Sequence, residues 1–319
     1  MTGFHPLVSI IIPVYKGADY MREAIDSALA QTYDNCEVIV VNDGSPDNGE
    51  TERIALSYGD RIRYFAKENG GVATALNLGI REMRGEYFSW LSHDDLYLPE
   101  KVAMQVEALR RLPDRRVILY SDFYYMDAQG VVTGEYCFPD IEPGAMFCHL
   151  YENSSLHGCS LLIPRCAFDR VGFFPEHLKT TQDYELWFAM ARVYSFVRIP
   201  HRLIQFRLHE AQGTNCLPER NPEELALFAR HLDGYMECKK RDLPGEKDIL
   251  RFLLALRVKQ GRFAQARYIL GQCASKGGGV FAAEMRLRHI GLVAAASIFS
   301  RVSFLKKRLR PIKRGLCGV

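Results

Sequence analysis

Val8-Ser-Ile-Ile-Ile-Pro-Val-Tyr15 is the stretch of sequence that decides the fold. A continuous apolar run of this kind, stopped by a proline, is typical of a buried parallel strand. Similar short runs follow at Cys36–Val41, Ile62–Ala66 and Tyr87–Leu91, and helical patterns separate them. Strands that alternate with helices predict an α/β fold, with a mainly parallel mixed sheet flanked by helices.

The regular alternation changes in the second third of the chain. Two β-rich runs flank Asp127-Ala-Gln-Gly130 and predict a hairpin. Further strands are predicted at Ser160–Ile163 and Leu203–Leu208, with a helix from about Asp183 to Val193 between them, and the pattern is wholly helical only beyond Pro222. We therefore predict two regions, an α/β domain over residues 1–218 and a helical C-terminal region over residues 219–319.

The composition excludes several classes of protein. With 319 residues, 48% of them hydrophobic and 25% charged, the chain can build a packed core and is not a disordered protein. Its nine cysteines are scattered without a C-x-x-C pair, which fits a reduced compartment better than a disulfide framework or a zinc site. Ile290–Ser300, a strongly apolar stretch, is about half as long as a membrane-spanning helix. We expect a cytoplasmic protein that does not span a membrane.

A basic segment closes the chain. From Met285 onwards there are nine Lys or Arg and no acidic residue, so the net charge of +3 leaves −6 for residues 1–284. One interpretation is an interfacial helix on the anionic inner face of the cell membrane, and the other is a solvated basic helix. Basic residues elsewhere are interleaved with acids, so nucleic acid is not an expected partner. The basic and apolar residues that cluster in this closing segment are Arg301, Val302, Phe304, Leu305, Lys306, Lys307, Arg308, Leu309, Arg310, Ile312, Lys313 and Arg314.

Polar residues concentrate where the predicted strands end. In an open α/β sheet, ligands bind at the carboxyl ends of the strands. The four loops at this edge are Pro13-Val-Tyr15, Asn42-Asp-Gly-Ser45, Lys67-Glu-Asn-Gly-Gly71 and Ser92-His-Asp-Asp95. This edge is therefore the predicted ligand-binding site.

Three carboxylates in these loops are candidates for binding. Asp94 and Asp95 are adjacent and repel each other, and a divalent cation held by oxygen ligands is the usual relief. A solvated turn that caps the next helix is the alternative. Asp43 is predicted either to accept a hydrogen bond from a nucleotide base or to stabilise an Asx turn.

Together these segments resemble the successive signatures of family 2 glycosyltransferases. The matching segments are Val8-Ser-Ile-Ile-Ile-Pro-Val-Tyr15, Val40-Val-Asn-Asp-Gly-Ser45, Glu68-Asn-Gly-Gly71 with Asn77-Leu-Gly79, and Trp90-Leu-Ser-His-Asp-Asp95, in that order. The resemblance covers roughly residues 7–210. It implies the GT-A nucleotide-diphosphosugar transferase fold, with a donor nucleotide bound by Pro13, Tyr15, Asp43, Lys67, Asn69, Gly71 and Asp94.

The same resemblance implies the metal ligands and the catalytic base. Asp94 and Asp95 match an acidic pair that holds Mn²⁺ or Mg²⁺ on the diphosphate, and Ser92 stands where many members have a further acid. Thr181-Gln-Asp-Tyr-Glu-Leu-Trp187 resembles the segment whose acid, here Asp183, is the general base of inverting transfer. Arg207-Leu-His209 resembles a later motif near the metal, which makes His209 a third predicted ligand.

The implied reaction moves a sugar from a UDP-, dTDP- or GDP-linked donor to a saccharide or lipid-linked saccharide acceptor, in surface polysaccharide or glycan biosynthesis. Such a transfer needs charge stabilisation on the departing diphosphate and a base on the opposite face of the sugar. The alternative is a catalytically inactive sugar-nucleotide-binding or scaffold protein of the same fold. Ser92 favours that alternative, and the presence of Asp94, Asp95 and Asp183 opposes it. A nicotinamide-dependent enzyme is excluded because the turn after the first strand is not glycine-rich.

Overall fold

The structure is a computed structural model that describes residues 3–142, 144–210, 212, 220–243 and 245–308, without the side chains of residues 277 and 294–308. Within these ranges the strands are β1 (Val8–Val14), β2 (Cys36–Asp43), β3 (Arg63–Lys67), β4 (Tyr87–Trp90), β5 (Leu96–Tyr97), β6 (Ile118–Met126), β7 (Val132–Tyr136), β8 (Ile163–Pro164) and β9 (Phe196–Arg207). The helices are α1 (Met21–Leu29), α2 (Glu50–Leu56), α3 (Val72–Glu82), α4 (Lys101–Arg111), α5 (Met146–Asn153), α6 (Arg165–Val171), α7 (Gln182–Ala191), α8 (Arg220–Lys239), α9 (Glu246–Lys259) and α10 (Phe263–Arg308).

The first sheet confirms the predicted parallel α/β arrangement. Its strand order is β3-β2-β1-β4-β8, and only the short edge strand β8 runs antiparallel to its neighbour. Every residue of β1 is buried, as a central strand covered on both faces requires. Because β1 lies between β2 and β4, the chain leaves β1 in one direction for β2 and returns on its other side for β4. The strand order therefore reverses at β1, and open α/β sheets bind ligands beyond the strand ends at such a point.

The second sheet has the order β5-β9-β6-β7. It contains the predicted hairpin, in which β6 pairs antiparallel with β7. The Asp127 carboxylate holds the turn, since it accepts hydrogen bonds from the backbone N–H groups of Gln129 at 3.0 Å and Val131 at 2.9 Å. Strand β9 is longer than predicted and runs parallel to β6 along most of its length.

One local prediction is largely wrong. Of the strand predicted at Ser160–Ile163, only Ile163 belongs to a strand, β8, and Leu162 forms an isolated bridge with Leu119. Ser160 ends a 3-10 turn over Gly158–Ser160, because its amide and hydroxyl both donate to the carbonyl of His157, at 3.0 Å and 2.7 Å. Helix α4 begins only at Lys101, because the chain before it pairs with β9 through the Leu98 amide, 3.0 Å from the carbonyl of Leu203.

Contacts divide the chain into two compact units, residues 1–227 and 228–319. The first turns of α8 belong to the first unit, although the sequence places the boundary at residue 218. In the second unit, α10 is interrupted at Gly278, where φ is 80° and ψ is 170°. The apolar residues of the basic segment from 301 onwards lie outside the described side chains. In the part of the chain that the structure describes, no helix has the length and apolarity needed to cross a bilayer.

Candidate active site

The Asp43 carboxylate, at the end of β2, organises the loop that follows β3. This side chain is almost completely buried, with 2% of the residue exposed. Its Oδ1 accepts hydrogen bonds from Lys67 Nζ at 2.6 Å and from the Gly70 amide at 3.0 Å. Its Oδ2 accepts hydrogen bonds from the Gly71 amide at 2.7 Å and from Asn69 Nδ2 at 3.2 Å. The structure thus brings together four of the predicted donor-binding residues in one cluster, which we call the Asp43 cluster.

Both members of the Asp43–Lys67 ion pair form further hydrogen bonds within the chain. The Lys67 ammonium also donates to Thr74 Oγ1 at 2.8 Å and to the carbonyl of Glu68. A carboxylate has about four acceptor positions, so a base N–H reaches Asp43 only by replacing one of its present donors. Thr74, the first-turn residue of α3 in this network, has no signal in the sequence beyond its place in the helix.

Pro13 and Tyr15 lie at the same sheet edge but differ in exposure. Pro13 is buried in β1 opposite Val41 of β2, whereas Tyr15 follows the strand and is 42% exposed. The next amide, of Lys16, donates to Ser45 Oγ at 3.0 Å, which ties the loop after β1 to the loop after β2. An aromatic ring held in this way at the strand ends is suited to stacking on a flat ligand.

Asp94, in the loop after β4, pairs with His209, which follows β9. Asp94 Oδ2 and His209 Nε2 are 3.0 Å apart, and their side chains are 16% and 12% exposed. Neighbouring ligands of an octahedral cation with bonds near 2.1 Å lie about 3 Å apart. This pair therefore fits two adjacent positions of a Mn²⁺ or Mg²⁺ ion and leaves other positions for phosphate oxygens and water.

The Asp95 carboxylate contacts buried groups. Only 1% of the residue is exposed, Oδ1 accepts a hydrogen bond from the Arg207 amide at 3.0 Å, and Oδ2 accepts one from Cys159 Sγ at 3.3 Å. Burial, together with the charge of Asp94, raises the pKa of Asp95 well above its usual value. The role of Asp95 as a metal ligand stays a prediction, and its contacts support the loop that presents Asp94.

A second group of possible metal ligands lies beneath this loop. Atoms of Asp95, His157 and Cys159 lie within 4.8 Å of one another, a donor set typical of zinc rather than of Mg²⁺ or Mn²⁺. Burial lowers the pKa of His157 to about 4 and raises the pKa of the Cys159 thiol well above its usual value. His157 and the Cys159 thiol are therefore both neutral at pH 7. The sulfur of Cys159 also accepts a hydrogen bond from the Ser92 amide at 3.3 Å.

Arg207 holds the main chain of the Asp94 loop. Its guanidinium donates to the carbonyl of Asp94 at 2.8 Å, to Glu23 Oε2 at 2.6 Å and to the carbonyl of Ala128 at 3.1 Å. It also lies 4.4 Å from the ring centre of Tyr20. In the Arg-x-His motif, His209 therefore contacts the Asp94 carboxylate, whereas the buried Arg207 supports the main chain of the Asp94 loop.

Asp183 lies in the first turn of α7 and is half-buried. Its Oδ1 accepts a hydrogen bond from the Tyr184 amide at 2.8 Å. Burial raises the pKa of this carboxyl to about 6, although that hydrogen bond opposes the rise. A carboxylate with such a pKa is ionised at pH 7 and still basic enough to take a proton in catalysis.

Residues on either side of Asp183, Lys179 and Tyr184, contact other parts of the first unit. A Cβ built on Gly71 would lie 3.9 Å from the ammonium of Lys179, so this lysine faces the Asp43 cluster. On the other side, the Tyr184 hydroxyl donates to the carbonyl of Leu156 at 3.2 Å, next to the His157–Cys159 turn. The start of α7 is therefore flanked by a lysine that faces the Asp43 cluster and a tyrosine that is bonded to the chain next to the His157–Cys159 turn.

Asn77, which is part of the Asn-Leu-Gly motif, has a structural role. Its Nδ2 donates to the carbonyl of Phe174 at 2.8 Å and to Glu176 Oε1 at 2.9 Å, and its Oδ1 accepts a hydrogen bond from the Phe174 amide at 3.0 Å. These bonds anchor the segment that leads to Lys179. No pattern in the sequence indicates this role of Asn77 or the supporting roles of Glu23, His157 and Cys159.

Comparison with known proteins identifies the family. The sequence profile described as Glycosyl transferase family 2 matches residues 9–168, half of the chain. The chain belongs to glycosyltransferase family 2. The region matched by this profile contains the Asp43 cluster and Asp94, whereas Asp183 and His209 follow it.

Relatives of this family 2 chain differ in length and in name. An uncharacterised glycosyltransferase of Rickettsia felis is 52% identical over 246 residues, which cover 75% of this chain and 41% of that protein. The chain thus spans less than half the length of this relative. A chondroitin synthase of Pasteurella multocida is 30% identical over 199 residues, which cover 60% of this chain and 19% of that protein.

Solved structures share the fold of this family 2 chain. Staphylococcus aureus TarS, residues 1–349 in complex with UDP, aligns with a TM-score of 0.57 and 16% identity over 93% of this chain and 92% of that one. The mannosyltransferase PcManGT from Pyrobaculum calidifontis, in complex with GDP-Man and Mn²⁺, aligns with a TM-score of 0.54 and 18% identity over 92% of this chain and 87% of that one. The predicted GT-A fold is confirmed.

Proposed function

We propose that this family 2 domain transfers a sugar from a nucleoside diphosphate donor to a saccharide or lipid-linked saccharide, with inversion and with a divalent cation. The observation that carries the proposal is the Asp94–His209 pair, whose 3.0 Å separation suits two ligands of one octahedral ion. Asp94 follows β4 at the carboxyl edge of the first sheet, which is the edge where α/β proteins bind nucleotides.

The donor side of the proposal rests on the Asp43 cluster and Tyr15. The cluster gives the loop after β3 a fixed shape, and the exposed Tyr15 ring offers a surface for a base. Related structures in complex with UDP and with GDP-Man support a uridine or guanosine donor, and a thymidine donor is the third choice. Lys179 adds a positive charge beside Gly71, where a diphosphate would be stabilised.

The cation, Mn²⁺ or Mg²⁺, would be held by Asp94 and His209 and would neutralise charge on the departing diphosphate when bound. The chain supplies the other half of the reaction. Asp183 takes the proton from the acceptor hydroxyl while that oxygen bonds to the anomeric carbon. The bond from this carbon to the diphosphate oxygen breaks, and the nucleoside diphosphate leaves. A single displacement of this kind inverts the anomeric centre.

The acceptor and the pathway are proposed on other grounds. The chondroitin synthase of Pasteurella multocida suggests a saccharide acceptor, and we place the protein in surface polysaccharide or glycan synthesis at the cytoplasmic side of the membrane. The start of the second half of α10 supports a peripheral membrane contact. There, Val280, Leu287 and Ile290 are 89%, 72% and 65% exposed, and the helix continues toward the basic segment.

Titration calorimetry tests the donor and metal sites together. UDP, dTDP and GDP are titrated into the full chain with Mn²⁺, with Mg²⁺, or with excess chelator. We expect one nucleotide to bind at least ~10-fold more tightly with metal, and Asp94→Asn to abolish this gain. Asp60→Asn, an exposed carboxylate at a distant turn, is the matched control. Equal affinity in chelator and in Mn²⁺ would show that the metal proposal is wrong.

Release of nucleoside diphosphate from the matching sugar nucleotide tests turnover. A chain that binds the donor with metal but never releases the sugar, with any saccharide acceptor supplied, would be the inactive binding protein instead. We expect measurable release with metal and loss of that release in Asp94→Asn.

A further inference from the structure

The carboxylate of Glu223, in the first turn of α8, binds the backbone just before α7. Its Oε1 accepts a hydrogen bond from the Lys179 amide at 2.8 Å. Its Oε2 accepts hydrogen bonds from the Thr180 amide at 2.8 Å and hydroxyl at 2.8 Å, and from the Thr181 amide at 3.2 Å and hydroxyl at 3.3 Å. Glu223 therefore uses both oxygens on three consecutive residues.

These bonds are of the strong, charge-assisted kind. Partial burial alone would raise the pKa of Glu223, but the amides of Lys179 and Thr180 lower it below its usual value. Thr181 is the residue that precedes α7, so the carboxylate also lies at the positive end of that helix. A helix start satisfied in this way from another element is held in one place rather than left to solvent.

The segment that Glu223 holds joins two charged groups of the proposed site. At its beginning, Lys179 directs its ammonium toward Gly71. Two residues after its end, Asp183 is the proposed base. Small displacements of a catalytic group lower the rate strongly, because proton transfer needs hydrogen-bond distance in the transition state.

We infer that Glu223 is a positioning residue for sugar transfer, which acts by fixing residues 179–181 and thereby the location of the Asp183 carboxyl. The inference rests on the proposed function of Asp183. It adds a residue from the helical region to a site otherwise built on the α/β sheet. No resemblance to the family motifs marks this glutamate.

Hydrogen exchange tests the geometry without any assay of activity. In the full chain, we expect the amides of residues 179–181 to exchange at least ~10-fold faster in Glu223→Ala than in the wild type. Glu224→Ala is the matched control, since the neighbouring glutamate pairs with Arg220 at 3.0 Å instead. Equal exchange in wild type and Glu223→Ala would overturn the inference whatever the activity of the protein.

A double-mutant cycle tests the link to Asp183. With release of nucleoside diphosphate at saturating donor as the readout, we expect Glu223→Ala to lower kcat at least ~10-fold, whereas any loss of the contribution of Lys179 to donor binding is measured separately as the donor Kd. The kcat of Glu223→Gln, which keeps one accepting oxygen, should lie between those of the wild type and Glu223→Ala. In an Asp183→Asn background, the same Glu223→Ala change should cost less than ~2-fold, because the group that it positions is gone.

The outcomes separate the two proposals. If Asp183→Asn lowers turnover but Glu223→Ala does not, the role of Glu223 is wrong and the role of Asp183 stands. If Asp183→Asn has no effect, the proposed base is wrong, and with it the inference for Glu223. Equal losses from Glu223→Ala in the wild-type and Asp183→Asn backgrounds would indicate a general structural effect and overturn the positioning role.

Discussion

Asp183 and Lys101 show how burial changes the chemistry of single residues in this chain. The carboxyl of Asp183 has a pKa raised to about 6 by burial, and burial lowers the pKa of the Lys101 ammonium to about 7. Both groups therefore titrate close to neutral pH, where an exposed aspartate or lysine does not. The first belongs to the proposed reaction, whereas the second lies in the core.

Asp183→Asn should lower turnover at least ~10²-fold and leave the donor Kd nearly unchanged, because it removes the proposed base and keeps the shape of the side chain. Steady-state release of nucleoside diphosphate and calorimetry measure the two effects. Glu185→Gln, in the same turn of α7, is the matched control and should retain turnover. Wild-type turnover in Asp183→Asn would remove this residue from the mechanism, and a product with the anomeric configuration of the donor would remove inversion.

The pH profile gives a separate test of the same carboxyl. A base with a pKa of about 6 is mostly protonated at pH 5 and mostly ionised at pH 7. We expect kcat to rise ~10-fold between these values and to level off above pH 7. The profile is measured at saturating donor and metal. A rate independent of pH between 5 and 7 would contradict a base with this pKa.

Lys101 predicts a pH dependence of stability. The side chain is wholly buried and donates to Ser89 Oγ and Gln105 Oε1, each at 2.9 Å. Its pKa is about 7 in the folded chain and near 10.5 when unfolded. Between pH 10.5 and pH 7 the unfolded chain therefore binds a proton that the folded chain does not, and the free energy of unfolding falls as the pH is lowered. This loss of stability is complete below pH 7.

Lys101→Met removes this loss of stability. The free energy of unfolding of the variant minus that of the wild type should therefore be greatest at pH 7 and below. We expect this difference to decrease by at least ~1 kcal/mol between pH 7 and pH 9, in urea unfolding curves. A difference that stays constant, or increases, over this range would show that the ammonium is not buried as described.

At the scale of elements, α3 packs closely on the central strand. A Cβ built on Gly79 would lie 2.4 Å from Ile11 Cγ2, so Gly79→Ala should lower the free energy of unfolding by about 1–3 kcal/mol. Gly271→Ala in α10 is the matched control, because nothing lies within 4 Å of its added Cβ and alanine favours a helix. Denaturant unfolding followed by circular dichroism measures both. If both variants gain stability, the close approach of α3 to β1 is wrong.

Elements that form from local sequence were predictable, and those that depend on distant partners were not. Strands β1 and β2 contain runs of buried apolar residues, and β3 and β4 are short β-rich segments between helical patterns, which indicate their type without knowledge of the fold. Strand β5 has two residues, and its pairing, Leu96 with Gln205, is made with a strand more than a hundred residues later. Helices α5 and α6 have eight and seven residues, too few for a clear period.

The site divides in the same way. Asp43 and Asp94 are found because they follow apolar strands, and their loops meet at one edge by the topology of a parallel sheet. The role of Glu223 could not be predicted from the sequence, because it binds backbone amides 42 to 44 residues away. A backbone amide does not depend on the type of side chain, so no sequence pattern identifies such a partner. The same holds for the bond between the Arg207 amide and Asp95.

At the scale of the whole molecule, the uneven charge predicts binding to anionic membranes. Residues 1–284 carry −6 and the remainder is basic, so attraction would act only at one end of the chain. We expect the intact protein to sediment with anionic vesicles at low salt and not with neutral ones, and a version ending at Gly279 to stay in solution. Equal sedimentation of both versions with anionic vesicles, or of neither, would leave the basic segment as a solvated face.

The bond between Glu223 and residues 179–181 also bears on how such proteins are recombined. A crossover between two relatives at residue 218 would pair the proposed base of one parent with the glutamate of the other. A crossover after Leu227 keeps both from the same parent, since α8 enters the second unit only there. Chimeras joined after residue 227 should therefore inherit the turnover of their N-terminal parent more often than chimeras joined at 218. The heritable unit of the proposed site therefore ends within α8 and not before it.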